Sequence, residues 1–342
     1  MNKKQLFGIA ISFIFVYFAF RDINFEEFIE SIKEGEYIWL FPALAAMISS
    51  FWLRGYRWKC ILDPVKKVSI HSAFSATMIG YMANNILPFR IGDLIRLVAI
   101  WKGAGVSRAA ALGSVVIERI FDLFMILAIF GIALLAYPQL PQWAVGAGYS
   151  AVGIFAILIF FSFYAKNNVE TLVRFNKKFI GKFSDKAAEK SEGMIRSFSD
   201  GLKVIHNVKG LLWLVLVSAV MWLINILWVW FALEIFDFDL PISASFLVLI
   251  FILFAVSIPS APGYVGTFHG FVIAALVFMG INTDAARASA VVMHATTYIP
   301  VTLIGLYYLW NSNFSLKSAS ESTAKIKEKM ATSGNEPDSE SK

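Results

Sequence analysis

Apolar positions gather into long runs with polar punctuation between them: Leu6–Phe20, Tyr37–Leu53, Val68–Leu87, Ala109–Tyr137, Val145–Ala165, Leu211–Leu233, Ile242–Ile258, Tyr264–Gly280 and Ala288–Trp310. A helix needs about 20 residues to cross a bilayer, so the longer runs predict spanning helices and the shorter ones predict tilted or re-entrant pieces. One stretch breaks the pattern. From Tyr81 to Gly103 the chain reads YMANNILPFRIGDLIRLVAIWKG, which puts Asn84, Asn85, Pro88, Arg90, Gly92, Asp93 and Arg96 inside a membrane-like segment.

Charge between the runs predicts their orientation, because Lys and Arg close to spans are held on the cytoplasmic side. Arg21–Glu36 has two basic and six acidic residues and reads as outside, whereas Arg54–Lys67 has five basic and one acidic and reads as inside. Lys166–Lys209, with ten basic and five acidic residues, reads as inside again; Pro138–Trp143 and Glu234–Asp239 read as outside. Between Lys67 and Lys166 the chain then crosses an even number of times, although three long runs are evident there. The parity closes if Val68–Leu87 enters from the cytoplasm, turns at the Pro-Gly region and returns along Ile91–Gly103. Non-helical backbone at such depth must be satisfied by protein or a wet cavity, which accounts for the polar tip.

The second half repeats this order. ILPFRIG (Ile86–Gly92) aligns with SAPGYVG (Ser260–Gly266), matching Pro88 and Gly92 to Pro262 and Gly266, and GVSRAAALGSVVIER aligns with GINTDAARASAVVMHA. The charge pattern makes the first unit enter from inside and the second from outside. The expected fold is therefore an all-α polytopic membrane protein with about six full spanning helices and two re-entrant helical hairpins in an inverted repeat. Inverted repeats with broken helices meeting at mid-membrane recur in secondary transporters. Residues 1–310 form one transmembrane domain, with repeat unit one at 68–137, repeat unit two at 242–310, a cytoplasmic amphipathic segment at 166–209, and a disordered cytoplasmic tail at 311–342.

Composition agrees with a membrane class: 58% of residues are hydrophobic and 16% charged, with 32 Phe and 10 Trp. The net charge of +6 sits in short juxtamembrane loops, where anionic lipid rather than nucleic acid accounts for it. The leading run lacks a small-x-small cleavage site and reads as a retained anchor. A single cysteine, Cys60, allows no intrachain disulfide. Stripes at Leu172, Phe175, Phe179 and Phe183, and at Met194, Phe198, Leu202 and Ile205, predict interfacial helices on cytoplasmic lipid; Phe25, Phe28, Ile29 and Ile32 form an acid-rich counterpart outside.

The candidate chemistry is electrostatic. In VVIERIFDLF, Glu118 and Asp122 share a helix face and Arg119 lies about 100° away. A charge at the bilayer centre costs about 3 kcal/mol or more, so these groups pair or line a polar cavity. With Arg90, Asp93 and Arg96 they make three cations and three anions. Either they neutralise one another as a structural network, or an arginine stays free for a phosphate, whose oxygens guanidinium matches bidentately. Asn84 and Asn85 either cap the hairpin backbone or touch a head group. His269 and His294, within apolar helices, are either hydrogen-bonded core residues or part of a protonatable relay. His71 and His206 stand apart from them, and no metal motif, P-loop or catalytic constellation occurs, so no metal, cofactor or catalytic residue is expected.

LPFRIGDLIR, VVIERIFDL and IPSAPGYVGTF, in this order, resemble the signature segments of the lysylphosphatidylglycerol synthase transmembrane region family, over roughly Gln5 to Trp310. The resemblance implies a polytopic protein of the cytoplasmic membrane with two opposed re-entrant elements, similar to the lipid-translocating half of aminoacyl-phosphatidylglycerol synthase/flippases. It carries the family's motifs onto Arg90, Gly92, Asp93 and Arg96, onto Glu118, Arg119 and Asp122, and onto Pro259, Pro262, Gly263 and Gly266. His269 and His294 depart from it, standing where the family often has a carboxylate and a basic residue. The soluble transferase domain is not seen, so the expectation is a flippase for a phosphate-containing lipid (aminoacyl-phospholipid, phospholipid or polyprenyl-phosphate-linked lipid) and not an enzyme. A glycosyl- or aminoacyl-transferase using Glu118 or Asp122 as base, or a structural subunit of an envelope-lipid pathway, are the alternatives. Anionic or zwitterionic membrane lipids are the expected partners, with a second copy of the chain or a lipid-synthesising enzyme as candidate protein partners. Both termini are placed in the cytoplasm.

Overall fold

The computed structural model describes residues 13–87, 90–140, 142–180, 188, 191–193, 195–196, 208–258 and 260–312. Pro88, Pro259, Phe183, Met194, Phe198, Leu202, Ile205, His206, the start of the leading run and the expected tail beyond 312 lie outside the described residues. Among the described residues all regular structure is helical. A helical segment at 13–20 precedes α1 (Phe25–Lys33) and α2 (Leu40–Leu62); then come α3 (Ile70–Ile86), α4 (Gly92–Ala104), α5 (Arg108–Ala136), α6 (Gln142–Asn167) and α7 (Val169–Phe179). The second half comprises α8 (Val208–Glu234), α9 (Ser243–Ser257), α10 (Thr267–Phe278) and α11 (Thr283–Asn311).

Four helices among the described residues are long and apolar enough to span a bilayer: Tyr37–Leu62, Ala110–Ala136, Val208–Glu234 and Thr283–Asn311. The chain is a polytopic helical membrane protein, and its described residues hold four such spans where the sequence leads to an expectation of about six. Of the other two, 142–167 is helical over 26 residues and the leading run is described only from residue 13.

Local chemistry explains the boundaries. Side chains of Ser69, Ser107 and Asn282 accept hydrogen bonds from backbone N–H groups in the first turns of α3, α5 and α11, satisfying donors that a helix start leaves open. The helices α3 and α4, of 17 and 13 residues, reach about 26 and 20 Å at 1.5 Å per residue. Each is short of a full bilayer core. They pack along one another as a hairpin whose base is closed by Lys66 Nζ, in the α2–α3 loop, donating to the Gly105 carbonyl in the α4–α5 loop at 2.9 Å. The crossing is tight: a Cβ on Gly92 would overlap the Gly80 carbonyl oxygen and crowd the Asn84 amide.

The helices α9 and α10, of 15 and 12 residues, pack as a second hairpin, and each half of the chain follows its hairpin with a 29-residue helix, α5 or α11. The packing is reciprocal. The long helix α11 lies along α3, and the long helix α5 lies along α9. Contacts along α11 give the hairpins their sense. His71 and Phe74 near the start of α3 meet Tyr308, while Asn85 at its end donates to the Tyr298 carbonyl and the Thr302 hydroxyl. The start of α10 meets the same helix lower down, where Phe268 and His269 lie against His294. The hairpins thus approach α11 from opposite ends, and their tips meet near its middle.

Arg90 and Tyr264, which occupy equivalent places in the two aligned heptapeptides, both hold left-handed backbone, with φ of 51° and 59°. For a side-chain-bearing residue this costs about 1–2 kcal/mol. Arg90 is held there by donation from Nη1 to the Val256 carbonyl at 2.9 Å, with its guanidinium 5.9 Å from the Tyr264 ring. Beside Tyr264, Gly263 has φ of 68° and faces the Tyr298 ring and the Asn85 carbonyl, so it lacks room for a Cβ as well as a favourable dihedral for one.

The basic stretch Arg54–Lys67 requires correction as a loop. Helix α2 continues to Leu62, so Arg54 and Arg57 belong to the bundle, and Lys66 and Lys67 remain in the connection. Of the amphipathic segment at 166–209, α7 is described: Val173 and Asn176 face inward, and Phe175 and Phe179 pack together on its exposed side. Arg196 bridges Glu170 and Glu192 there.

The Gly80–Gly92 crossing predicts that Gly92→Ala lowers stability by about 1–3 kcal/mol through overpacking. Gly131→Ala, with open space around its Cβ inside α5, is expected to leave stability unchanged or raise it by up to about 1 kcal/mol. Thermal unfolding of the two variants in detergent checks the contrast.

Candidate functional site

The acidic pair of α5 lies 10 and 14 residues from Arg108, about 15 and 21 Å along a helix whose full length is about 44 Å. Glu118 is fully buried and Asp122 is 4% exposed. Two helices bring cations to them. From α2, the Arg57 Nη2 donates to Asp122 Oδ1 at 2.7 Å and to Glu118 Oε1 at 3.3 Å, while Nη1 donates to the Ser218 hydroxyl of α8 at 3.1 Å. From α4, the Arg96 Nη2 donates to Glu118 Oε2 at 2.6 Å. Glu118 therefore divides its two oxygens between arginines of different helices.

Two more guanidiniums complete the group. Arg54 Nη1 and Arg119 Nη1 each lie 3.6 Å from Asp122 Oδ2, close enough for ion pairing but beyond a hydrogen bond. Their exposure differs from that of the inner pair: the side chains of Arg57 and Arg96 are 0% and 1% exposed, Arg54 is 11% and Arg119 is 39%. Aromatic faces support the cations. Arg96 stacks over Trp58 at 4.4 Å, with the indole N–H given to the Ser114 hydroxyl, and Arg54 lies 5.5 Å from the Tyr81 ring.

The count differs from the sequence expectation of three cations against three anions. Arg96, Glu118, Arg119 and Asp122 come together as expected. Arg90 does not join them but crosses to the other hairpin, and Asp93 makes a 3.5 Å contact with the Asn84 amide. Arg54 and Arg57, counted in the sequence as loop charges, take their place. Four guanidiniums now face two carboxylates. Arg54 Nε, Arg57 Nε, and Arg96 Nε and Nη1 are buried without a hydrogen-bond partner.

In the sequence these two arginines stand at the end of an apolar run, where a first charge reads as the membrane surface. A signal is present: Tyr56, Trp58, Ile61 and Leu62 continue the apolar character past Arg54, and the arginines are three apart, on one helix face.

At the hairpin tips, Asn84 is buried with its Oδ1 unpaired, and Asn85 binds α11 instead of capping its own helix. Pro262, Gly263 and Gly266 form the second tip. His294 Nε2 lies 2.8 Å from the Gly263 carbonyl, which only accepts, so the ring donates there, and His269 Nδ1 accepts from the Gly266 N–H at 3.4 Å. The two rings meet edge to face at 4.8 Å. Both histidines therefore hold the second tip through its backbone.

The family model described as the lysylphosphatidylglycerol synthase TM region matches residues 5–305. The chain belongs to that family. Among relatives of this TM-region protein, a UPF0104 membrane protein of Methanothermobacter thermautotrophicus is 22% identical over 293 residues, covering 81% of this chain and 86% of that protein. A UPF0104 membrane protein of Methanocaldococcus jannaschii is 25% identical, covering 67% of this chain and 94% of that one. The protein named glycosyltransferase AglD of Haloferax volcanii is 26% identical over 84% of this chain, which spans only 52% of its length. No solved structure matches the family member described here.

Removing one member of a buried ion pair leaves its partner uncompensated. Glu118→Gln is expected to cost about 3 kcal/mol or more, because Arg96 loses the carboxylate it pairs with and Arg57 keeps only Asp122. Asp93→Asn, which acts on Arg119 through its field and makes no direct ion pair there, is expected to cost less, about 1 kcal/mol or below. Unfolding midpoints of the purified variants measure both.

Proposed function

We propose that this TM-region protein moves a phosphate-bearing lipid across the cell membrane, binding its head group in the cationic seam between α2, α4 and α5. The observation that carries the reading is the excess of guanidinium over carboxylate halfway along α5, with buried N–H groups left open. A charge placed at that depth is costly unless paired or wetted, and a lipid phosphate supplies both the missing charge and acceptor oxygens. Half-exposed Arg119 is the point at which a head group first meets the seam while its acyl chains stay in the bilayer.

The opposed hairpins support a route. On this reading they are re-entrant and form an inverted repeat, with the basic connections at 63–69 and after α6 in the cytoplasm together with both termini. Rocking one half against the other exchanges access to the seam from one leaflet to the other. No cofactor or catalytic residue is required, and the chain acts as a transporter rather than an enzyme.

A second reading rests on the Haloferax relative named as a glycosyltransferase: Glu118 or Asp122 would then serve as base in a transfer onto a lipid carrier. The engagement of both carboxylates with arginine counts against it. Turnover of a glycosyl donor by the purified chain would favour this reading over transport.

Reconstitution into liposomes holding fluorescent phospholipids or polyprenyl-phosphate lipids tests the transport reading. Wild-type protein is expected to carry label between leaflets, with Arg119→Ala and Arg96→Ala slowing it at least tenfold at equal protein incorporation. Undiminished movement in both variants would remove the seam as the binding site.

A further inference from the structure

We infer that the seam selects a head group carrying two negative charges on a terminal phosphate, a phosphomonoester or diphosphate lipid, over one with a single phosphodiester charge or a cationic substituent. The inference rests on the lipid-binding reading above and deepens it by naming the class of lipid.

It follows from counting charge within the bundle. Arg54, Arg57, Arg96 and Arg119 face Glu118 and Asp122, which leaves two positive charges in excess. Guanidinium stays protonated throughout the physiological range, so this excess is not relieved by losing a proton. Including the neighbouring Arg90 and Asp93 adds one charge of each sign and changes nothing. Of the four described histidine and cysteine groups that could alter the balance, His269 and His294 bind the other hairpin's backbone, His71 packs on Tyr308 near the base of α3, and Cys60 lies on α2 beyond Arg57. None contributes an anion to the seam.

Hydrogen-bonding capacity points the same way. The open donors sit on three arginines, at Arg54 Nε, Arg57 Nε, and Arg96 Nε and Nη1. A phosphodiester offers two non-bridging oxygens and one negative charge; a terminal phosphate offers three such oxygens and about 1.5 to 2 charges at neutral pH. The second matches both the charge and the number of open donors more fully. A phosphodiester bearing an aminoacyl group with free amines would instead bring positive charge to a site already in positive excess, a juxtaposition that works against binding.

The test uses the full chain in detergent and native mass spectrometry, with lipids of identical acyl chains: phosphatidic acid for the terminal phosphate, phosphatidylglycerol for the anionic diester, and phosphatidylethanolamine for the zwitterion. In pairwise competition phosphatidic acid is expected to be retained at least tenfold over phosphatidylglycerol, and phosphatidylglycerol over phosphatidylethanolamine. Arg119→Gln, which removes one excess charge from the most exposed member, is expected to bring phosphatidic acid to within about threefold of phosphatidylglycerol. Arg54→Gln gives the same comparison should Arg119→Gln fail to fold.

Equal retention of phosphatidic acid and phosphatidylglycerol, both above phosphatidylethanolamine, would overturn the two-charge selection while leaving lipid-phosphate binding intact. Equal retention of all three would overturn both readings. Inorganic phosphate provides the remaining arm: displacement of phosphatidic acid by an equal concentration of it would overturn the lipid as the source of the dianion, and failure to displace supports it.

Discussion

Glu118 is the point on which three helices depend. Its carboxylate takes Arg57 from α2 on one oxygen and Arg96 from α4 on the other, so from a fully buried position it joins the short hairpin helix to two long helices. The hydrophobic effect does little to hold helices together within lipid, where tails are as apolar as the side chains they replace. Close backbone approach and buried polar pairs must specify the arrangement. The contact of Gly80 with Gly92 supplies the first, between α3 and α4, and the arginine–glutamate chain supplies the second, between α4, α5 and α2; α4 carries both, one turn apart at Gly92 and Arg96.

That constraint has a chemical by-product. A network built only to join helices would be complete at charge balance, as two arginines on two carboxylates. Here Asp122 also holds Arg54 and Arg119 at longer distance, and several guanidinium nitrogens remain open. Aromatic faces at Trp58 and Tyr81 stabilise cations without neutralising them. The structure thus supports positive charge in excess of its own counter-ions, an arrangement suited to an anion from outside the chain.

The two hairpins differ in what their tips carry. The first presents Arg90 and two asparagines; the second presents Tyr264 and a histidine pair bound to its own backbone. Yet the aligned positions Arg90 and Tyr264 share the same left-handed backbone and face one another across the contact. Similar backbone with different side chains gives one half the charge and the other the supporting surface. A symmetric architecture can in this way hold an asymmetric seam.

Much of the architecture was legible in the sequence because bilayer burial leaves a one-dimensional record. Long apolar runs mark α5, α8 and α11, and the Pro-Gly heptapeptides mark the interruptions between α3 and α4 and between α9 and α10. Glu118, Arg119, Asp122 and Arg96 were likewise readable as charges too deep to stand alone. Their partners were not. Arg54 and Arg57 look in the sequence like the first residues of a basic loop, and Arg90 looks like a member of the charge cluster. Whether an arginine at the edge of an apolar run marks the membrane surface or turns back into the bundle depends on which helix lies beside it. The sequence by itself determined the helical membrane class, the broken hairpins and the presence of buried charge, since each follows from the cost of placing backbone and ions in hydrocarbon. Only the tertiary structure decided which charges meet, because pairing across helices depends on their lateral neighbours and rotation, and these are set by contacts far apart along the chain.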